Sequence, residues 1–298
     1  MSMLNEAAAG GVDLHKLAMR VTLDVDGIWR TDCTAPLSYP SDGNASCLAV
    51  EENSFWFRHR NRCIVAAVST AFPASQGFFL DVGAGNGYVA RGLMSAGYEV
   101  VAVEPGPAGA RNARARGVSH VVCATTDACG FLPNSVPAVG AFDVVEHIAD
   151  DVGFLSHLST LLRADGVLAL TVPAYSALWS TDDVHAGHQR RYTATTLRAA
   201  LKAAGFRVDY ETYFFRWLPL PIALLRSTPF RLGFRRVAPA TAAGAAREHA
   251  STMPWAARAI ERLLAGEAEN IRRRRRMAFG GSLLVIARPV GSSVGSKT

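Results

Sequence analysis

Apolar positions along this chain fall in short solid runs, separated by longer stretches with a three-to-four-residue spacing. The run at 78–82 stops at three glycines two apart, Gly83, Gly85 and Gly87. A helical spacing follows, with Val89, Leu93 and Ala96 on one face, and a second run at 100–103 closes on Glu104. Solid runs of this length read as strands buried on both faces, and the spaced stretches as helices covering them. The alternation continues with a helix around 108–116, a strand at 120–123, a loop over 124–133 and a strand at 139–144. A helix over 150–163 stops at Gly166, and the strand at 167–172 ends at Pro173. Thr193 reads as the N-cap of a helix over 194–204 that Gly205 terminates, and strands follow at 206–215 and 281–288. The pattern predicts an α/β fold: a doubly wound, mostly parallel sheet of seven strands.

The first strand–loop–helix–strand–acid unit carries candidate chemistry. Glycines let the backbone turn sharply and let a ligand approach main-chain N–H groups with no Cβ in the way. An acid at the tip of the next strand can accept both hydroxyls of a ribose. A dinucleotide fingerprint would place a further glycine where Tyr88 stands, so the loop reads D-x-G-x-G-x-G from Asp81. This resembles motif I of the class I S-adenosylmethionine (SAM)-dependent methyltransferases. Asp143-Val-Val-Glu146-His147, the turn Leu161-Leu-Arg-Ala-Asp-Gly166 and the strand ending Val172-Pro173 are similar to that family from its motif IV onward. The likeness covers about 51–215 and 279–289, in order. It implies a Rossmann-like methyltransferase fold, SAM as cofactor, and a closing hairpin pairing 206–215 with 281–288. It implies cofactor contacts at Asp81, Gly83, Gly85, Gly87, Glu104 and Asp143, with Asp127 and Ala128 near the adenine.

Residues 1–50 show little periodicity, and 31–47, rich in Pro, Ser, Asp and Gly, reads as loop. From Ser54 three aromatics and then Arg58-His59-Arg60-Asn61-Arg62 lead into a helix expected to end before Pro73. Its aromatics either pack on the core or form a lid over a bound cofactor. A similar His-Arg-x-Asn stretch occurs in ubiquinone-pathway O-methyltransferases. By that resemblance Arg58, His59 or Asn61 meets the methionine carboxylate.

The stretch 174–193, past the carboxyl end of a central strand, is long for a connection and rich in polar and aromatic groups, so it reads as functional. His147, His185 and His188 fall beside it, and imidazole titrates near neutrality as a base must. His147, His188 and Tyr175 are the catalytic candidates, with Trp179 and Tyr192 as further pocket lining. No metal is the expectation. The competing reading draws on the E-x-x-E-H of ubiquinone-pathway and small-RNA 3′-terminal 2′-O-methyltransferases. By that resemblance Asp143, Glu146, His147 and His188 would hold Mg2+, with Asp143 a shorter arm than Glu.

Composition changes the picture in one place. A chain of 298 residues that is 49% hydrophobic can bury a large core. No run approaches the ~20 apolar residues of a membrane span, and the start lacks a basic n-region and an apolar h-region. Five cysteines without a C-x-x-C pair suggest neither a disulfide framework nor a cysteine zinc site. A cytoplasmic protein is expected. The net charge of +6 hides an asymmetry: 216–276 holds 13 Arg, no Lys and four Glu, whereas the remainder is net acidic. Within that segment 217–225 is apolar and 272–276 is five arginines. It reads as a helical lid with a solvated face, or as a peripheral contact with an anionic membrane. No nucleic-acid partner is expected, because no RNA-binding module is attached.

The expected organisation is an N-terminal extension and lid helix over 1–75, a SAM-binding core over 76–215, a basic helical insert over 216–278, a final core strand at 279–290 and a disordered tail at 291–298. The expected reaction is methyl transfer to an O, N or C nucleophile of a small-molecule acceptor, natural-product or lipid-like. A SAM-consuming lyase or cyclase releasing methylthioadenosine is the alternative, and a non-catalytic SAM-binding protein the third reading. Oligomeric state is not legible.

Overall fold

The computed structural model describes residues 11–32, 43–233 and 254–290. The expected tail at 291–298, part of the loop at 31–47 and part of the insert lie outside the described residues. Strands β1 (Thr22–Leu23), β2 (Trp29–Arg30), β3 (Phe79–Val82), β4 (Val100–Val103), β5 (His120–Cys123), β6 (Val136–Phe142), β7 (Leu162–Pro173), β8 (Phe206–Phe214) and β9 (Ser282–Pro289) form one sheet. Their order is β1-β2-β5-β4-β3-β6-β7-β9-β8. From β2 to β7 the neighbours run parallel, and β9 lies antiparallel between β7 and β8, which is the expected closing hairpin. The sheet has nine strands where seven are predicted. The added β1–β2 hairpin extends the edge through Trp29 opposite Val122, and strands of two residues carry no periodicity for a sequence pattern to show.

Every side chain of β3, β4 and β6 is buried, as a sheet covered on both faces requires. Strand order reverses at β3, with β4 on one side and β6 on the other. Open α/β sheets hold ligands at such a crevice, outside the carboxyl ends of the strands.

Local chemistry sets the element ends. The helix Phe55–Ala71 starts at Ser54, whose side chain accepts from the Trp56 N–H at 3.2 Å. Ala194–Ala203 starts in a reciprocal cap, Thr193 accepting from Thr196 N–H at 3.2 Å and Thr196 Oγ1 from Thr193 N–H at 2.9 Å. The helix Asp151–Leu161 is shorter than its pattern predicts, because the chain pairs Leu162 with Val136 at once. Helix Gly43–Glu51 occupies the end of the stretch read as loop. The insert contributes a helical segment, Pro219–Ile222, Ala223–Ser227 and Thr228–Arg231, and the helix Pro254–Arg272. That last helix packs on Phe55–Ala71. Its buried Glu267 accepts from the N–H groups of Phe215 (2.7 Å) and Arg216 (2.9 Å) and meets His59 Nε2 at 2.8 Å. One carboxylate thus fixes the exit of β8 to both helices.

Candidate functional site

The glycine loop leaves β3 with Gly83, Gly85 and Gly87 all at positive φ. At Gly83 (φ +69°) a Cβ would also fall 2.5 Å from Val144 Cγ2. Gly83→Ala is therefore expected to cost about 2 kcal/mol of stability in a urea titration and to weaken ligand binding at the loop.

Glu104, at the tip of β4, is buried and holds this loop in place. Its Oε2 accepts from Gly85 N–H and its Oε1 from Gly106 N–H, each at 2.8 Å. The Asn44 side chain donates to it as well. Burial pushes the Glu104 carboxyl up, against these hydrogen bonds. Asn44 belongs to Gly43–Glu51, which is tied over the loop. Asn86 Nδ2 donates to Asn44 O (2.8 Å) and Glu51 Oε1 (3.1 Å), and Arg116 pairs with Glu51 at 2.5 Å. The sequence reading missed this cover. Its one signal is Asn86, a polar side chain inside the glycine loop that needs partners once buried.

Asp81 is buried at the end of β3, and its Oδ2 has no hydrogen-bond partner among the described residues. Burial raises its pKa to about 7, Arg60 opposing and Glu104 adding to the shift. A carboxyl raised in the folded state from 3.8 binds its proton there preferentially, so its contribution is full below about pH 4 and is lost as pH rises towards 7. Asp81→Asn is expected to gain on the wild type across that window in denaturant titrations at stepped pH. A pH-independent difference would contradict the assignment.

Beside the loop lies a cleft of about 500 Å³ at the crevice, walled by Gly83, Val103, Pro105, Asp127, Val144 and Phe154 among others. Its mostly apolar walls with a polar rim suit a flat heteroaromatic ring. Asp127 stands exposed at the rim, 3.5 Å from His157 Nε2. Ala128 donates its N–H to Thr125 O at 3.2 Å and packs on the core.

The helix Phe55–Ala71 turns one cation onto the strand ends, and it is Arg60. Its Nε donates to Asp143 Oδ2 at 2.6 Å, another nitrogen to Phe142 O at 2.9 Å, and its guanidinium stacks over Trp56. Arg60 shares the inward face with Cys63, Ile64 and Ala67, the spacing of one helix side. The neighbouring polar residues of that stretch make other contacts. Arg58 pairs with Glu261 and donates to Glu52 O, His59 meets Glu267, and Asn61 Nδ2 donates to Tyr88 O at 3.1 Å.

Asp143, Glu146 and His147 do not share a face. Asp143 takes φ +57°, accepts from Arg60 and from Thr171 Oγ1 (2.9 Å), and the chain then makes a single 3₁₀ turn, Val145–His147. Glu146 is fully buried, and neither carboxylate oxygen has a hydrogen-bond partner among the described residues. Burial, with the Asp143 charge, pushes its pKa well above the usual range. The His147 and His188 rings meet edge to face at 4.8 Å. Burial and His188 hold His147 down to about 4, so its imidazole is neutral at pH 7.

His188 Nδ1 lies 2.8 Å from Asp183 Oδ1, and its Nε2 4.0 Å from Glu146 Oε1. Asp183 also accepts from Arg191 Nε (2.7 Å) and Ser180 N–H (2.8 Å). Burial pushes Asp183 up, but the hydrogen bonds of His188 and Arg191 outweigh it and hold the carboxylate ionised. Asp183 and Arg191 were not singled out in the sequence; the available signal was the capping box of Ser180 and Asp183. Tyr175 stacks on Tyr213 at 5.1 Å, and burial with the Tyr213 contact raises its pKa, so it keeps its proton. Tyr192 donates to Asp151 Oδ2 at 2.7 Å. Of the four residues named for a metal, Glu146, His147 and His188 bring one donor atom each within 4.8 Å of one another, whereas Asp143 is engaged by Arg60.

The profile of a family described as a methyltransferase domain matches residues 56–211. A probable S-adenosylmethionine-dependent methyltransferase of Mycolicibacterium smegmatis is 27% identical over 185 residues, 60% of this chain and 69% of that protein. One chain of the Haloferax volcanii complex containing the Trm112 methyltransferase activator superposes with a TM-score of 0.53 at 17% identity, over 84% of this chain and 94% of its own. Phosphoethanolamine N-methyltransferase 2 of Haemonchus contortus, solved with S-adenosyl-L-methionine, gives 0.52 at 18% identity, over 85% of this chain and 58% of its own. At these identities the two structures speak for the fold.

Proposed function

The chain belongs to this methyltransferase-domain family, and on that premise we propose that it transfers a methyl group from SAM to an oxygen, nitrogen or carbon nucleophile of a small acceptor. The observation that carries the finer reading is the Asp183–His188 pair beside buried Glu146, next to the crevice. SAM brings an electrophilic methyl on its sulfonium. The protein's own task is to hold the two reactants in line and to take a proton where the acceptor has one to lose.

Glu104, with the Gly83–Gly87 loop and Asn44 above it, offers the ribose site, and the cleft reaching Asp127 takes the adenine. Asp81 and Asp143, with Arg60 between their charges, face the remaining polar half of the cofactor. Asp183 accepts the Nδ1–H of His188, which fixes the tautomer and leaves the Nε2 lone pair as the base.

The test is product analysis after incubation with SAM and a panel of hydroxylated and amine acceptors. S-adenosylhomocysteine with a methylated acceptor is the expected outcome. Methylthioadenosine in its place would establish the lyase or cyclase reading instead. Glu146, a buried carboxylate without a hydrogen-bond partner among the described residues, favours a second reading in which it holds a divalent ion with His147 and His188. Calorimetric titration with Mg2+, against Glu146→Gln as control, decides that reading.

A further inference from the structure

We propose that the segment from Trp217 to Leu232 docks the protein on an anionic lipid surface and that the acceptor is an amphiphile taken from that surface. The second half rests on the methyl-transfer reading; the first does not.

The segment is built inside out. Trp217, Leu220, Leu224, Leu225 and Leu232 are each 55–67% exposed, the densest group of exposed large apolar side chains among the described residues. Their spacing puts them on one side of the helical run that starts at Pro219. The opposite side carries the polar contacts. Arg226 pairs with Asp182, Arg231 donates to Ser176 O at 3.1 Å, and Ser227 is buried. A helix on a water-facing surface arranges these classes the other way round.

The outward stripe carries few hydrogen-bonding groups, the Thr228 hydroxyl and the Trp217 indole N–H. A protein partner normally matches about one hydrogen bond per 100–200 Å² of interface, whereas a bilayer asks for none. Its composition, tryptophan and leucine flanked by arginine, is that of helices lying in the lipid interface. Arg216 sits over the Trp217 ring at 5.9 Å, so a cation borders the stripe where it begins. Three arginines of the run at 272–276 have partners away from this stripe. Arg272 and Arg273 pair with Glu269, and Arg274 packs on Tyr210 in the middle of β8. No helix among the described residues is long and apolar enough to cross a membrane, so the contact is with the surface.

The link to the acceptor is the inward side. Asp182 and Ser176 belong to the stretch after β7 that also carries Asp183 and His188. The helical run that bears the stripe therefore packs, through its inward side, on the loop that carries Asp183 and His188.

The test is sedimentation of the full chain with vesicles of phosphatidylcholine, alone and mixed with phosphatidylglycerol. Expected are pelleting with the anionic vesicles, weakening with added salt, and a loss of about tenfold or more in Leu220→Asp/Leu224→Asp. Both sites are exposed, so the variant's melting temperature and its SAM affinity should be unchanged. Three results would overturn the docking: no pelleting at low salt, undiminished pelleting of the double variant, or a dimer in sedimentation velocity that the double variant dissolves. If docking fails while SAM still binds and is demethylated, the methyl-transfer reading stands; if SAM does not bind, that reading falls separately.

Discussion

Glu104→Ala is expected to weaken SAM binding by about a hundredfold, near 2.7 kcal/mol, in a calorimetric titration. The side chain has two tasks in the ligand-free protein, since its oxygens accept from Gly85 and Gly106 and it carries the Asn44 contact. Alanine removes the ribose acceptor and also leaves two N–H donors of the loop without their partner. Each such loss costs about 1–3 kcal/mol, so a lowered urea midpoint should accompany the lost affinity. Glu104→Gln separates the effects. The amide keeps one acceptor oxygen and nearly the same volume, so most of the stability should return while affinity remains depressed. Normal SAM binding by both variants would remove the ribose assignment.

Arg60→Met is expected to be the most destabilising substitution at the site. Arg60 is the cation that acts on Asp143, Asp81 and Glu146 alike, and it is almost fully buried. Taking one partner from a buried ion pair leaves a charge that the interior cannot solvate, at about 3–5 kcal/mol. The methionine is close in length and apolar, so packing against Trp56 is largely kept. Asp143→Asn in the Arg60→Met background should restore part of the loss, because the stranded charge is then gone. A single variant within about 0.5 kcal/mol of wild type, the size of an ordinary surface change, would show that the cluster is solvated. The same variant should move the pH window of Asp81 upward, since Arg60 opposes the rise in its pKa.

The parts of this fold that were legible are those where one local signal decides the conformation. Thr193 and Gly205 bound a helix through capping groups, and the solid apolar run of β4 had no alternative to burial. The D-x-G-x-G-x-G loop was legible because three positive-φ positions in five residues demand glycine. What was missed depends on contacts distant in sequence. Helix Gly43–Glu51 is held by Asn86 and Arg116, not by its own composition. Arg58 and Arg60 are chemically alike, and only the phase of the helix decides that Arg60 meets Asp143 while Arg58 meets Glu261. Asp183 was not singled out, because its contacts come from His188 and Arg191 folding back on it. Asp143 is not a helical neighbour of Glu146, because its own positive φ turns the chain before the 3₁₀ turn.

The strand made last, β9, is an inner strand, lying between β7 and β8. While the chain is being synthesised, β7 has β6 on one side and nothing on the other, and β8 has no place in the sheet at all. The long apolar edge of β7 is exposed until Ser282–Pro289 leaves the ribosome, and an open edge of that kind is a template for pairing with other chains. A chain terminated shortly before Ser282 would keep the whole glycine loop and the Asp183–His188 pair yet be unable to close its sheet, so premature termination is expected to give aggregates, read by light scattering, in place of a partly active protein.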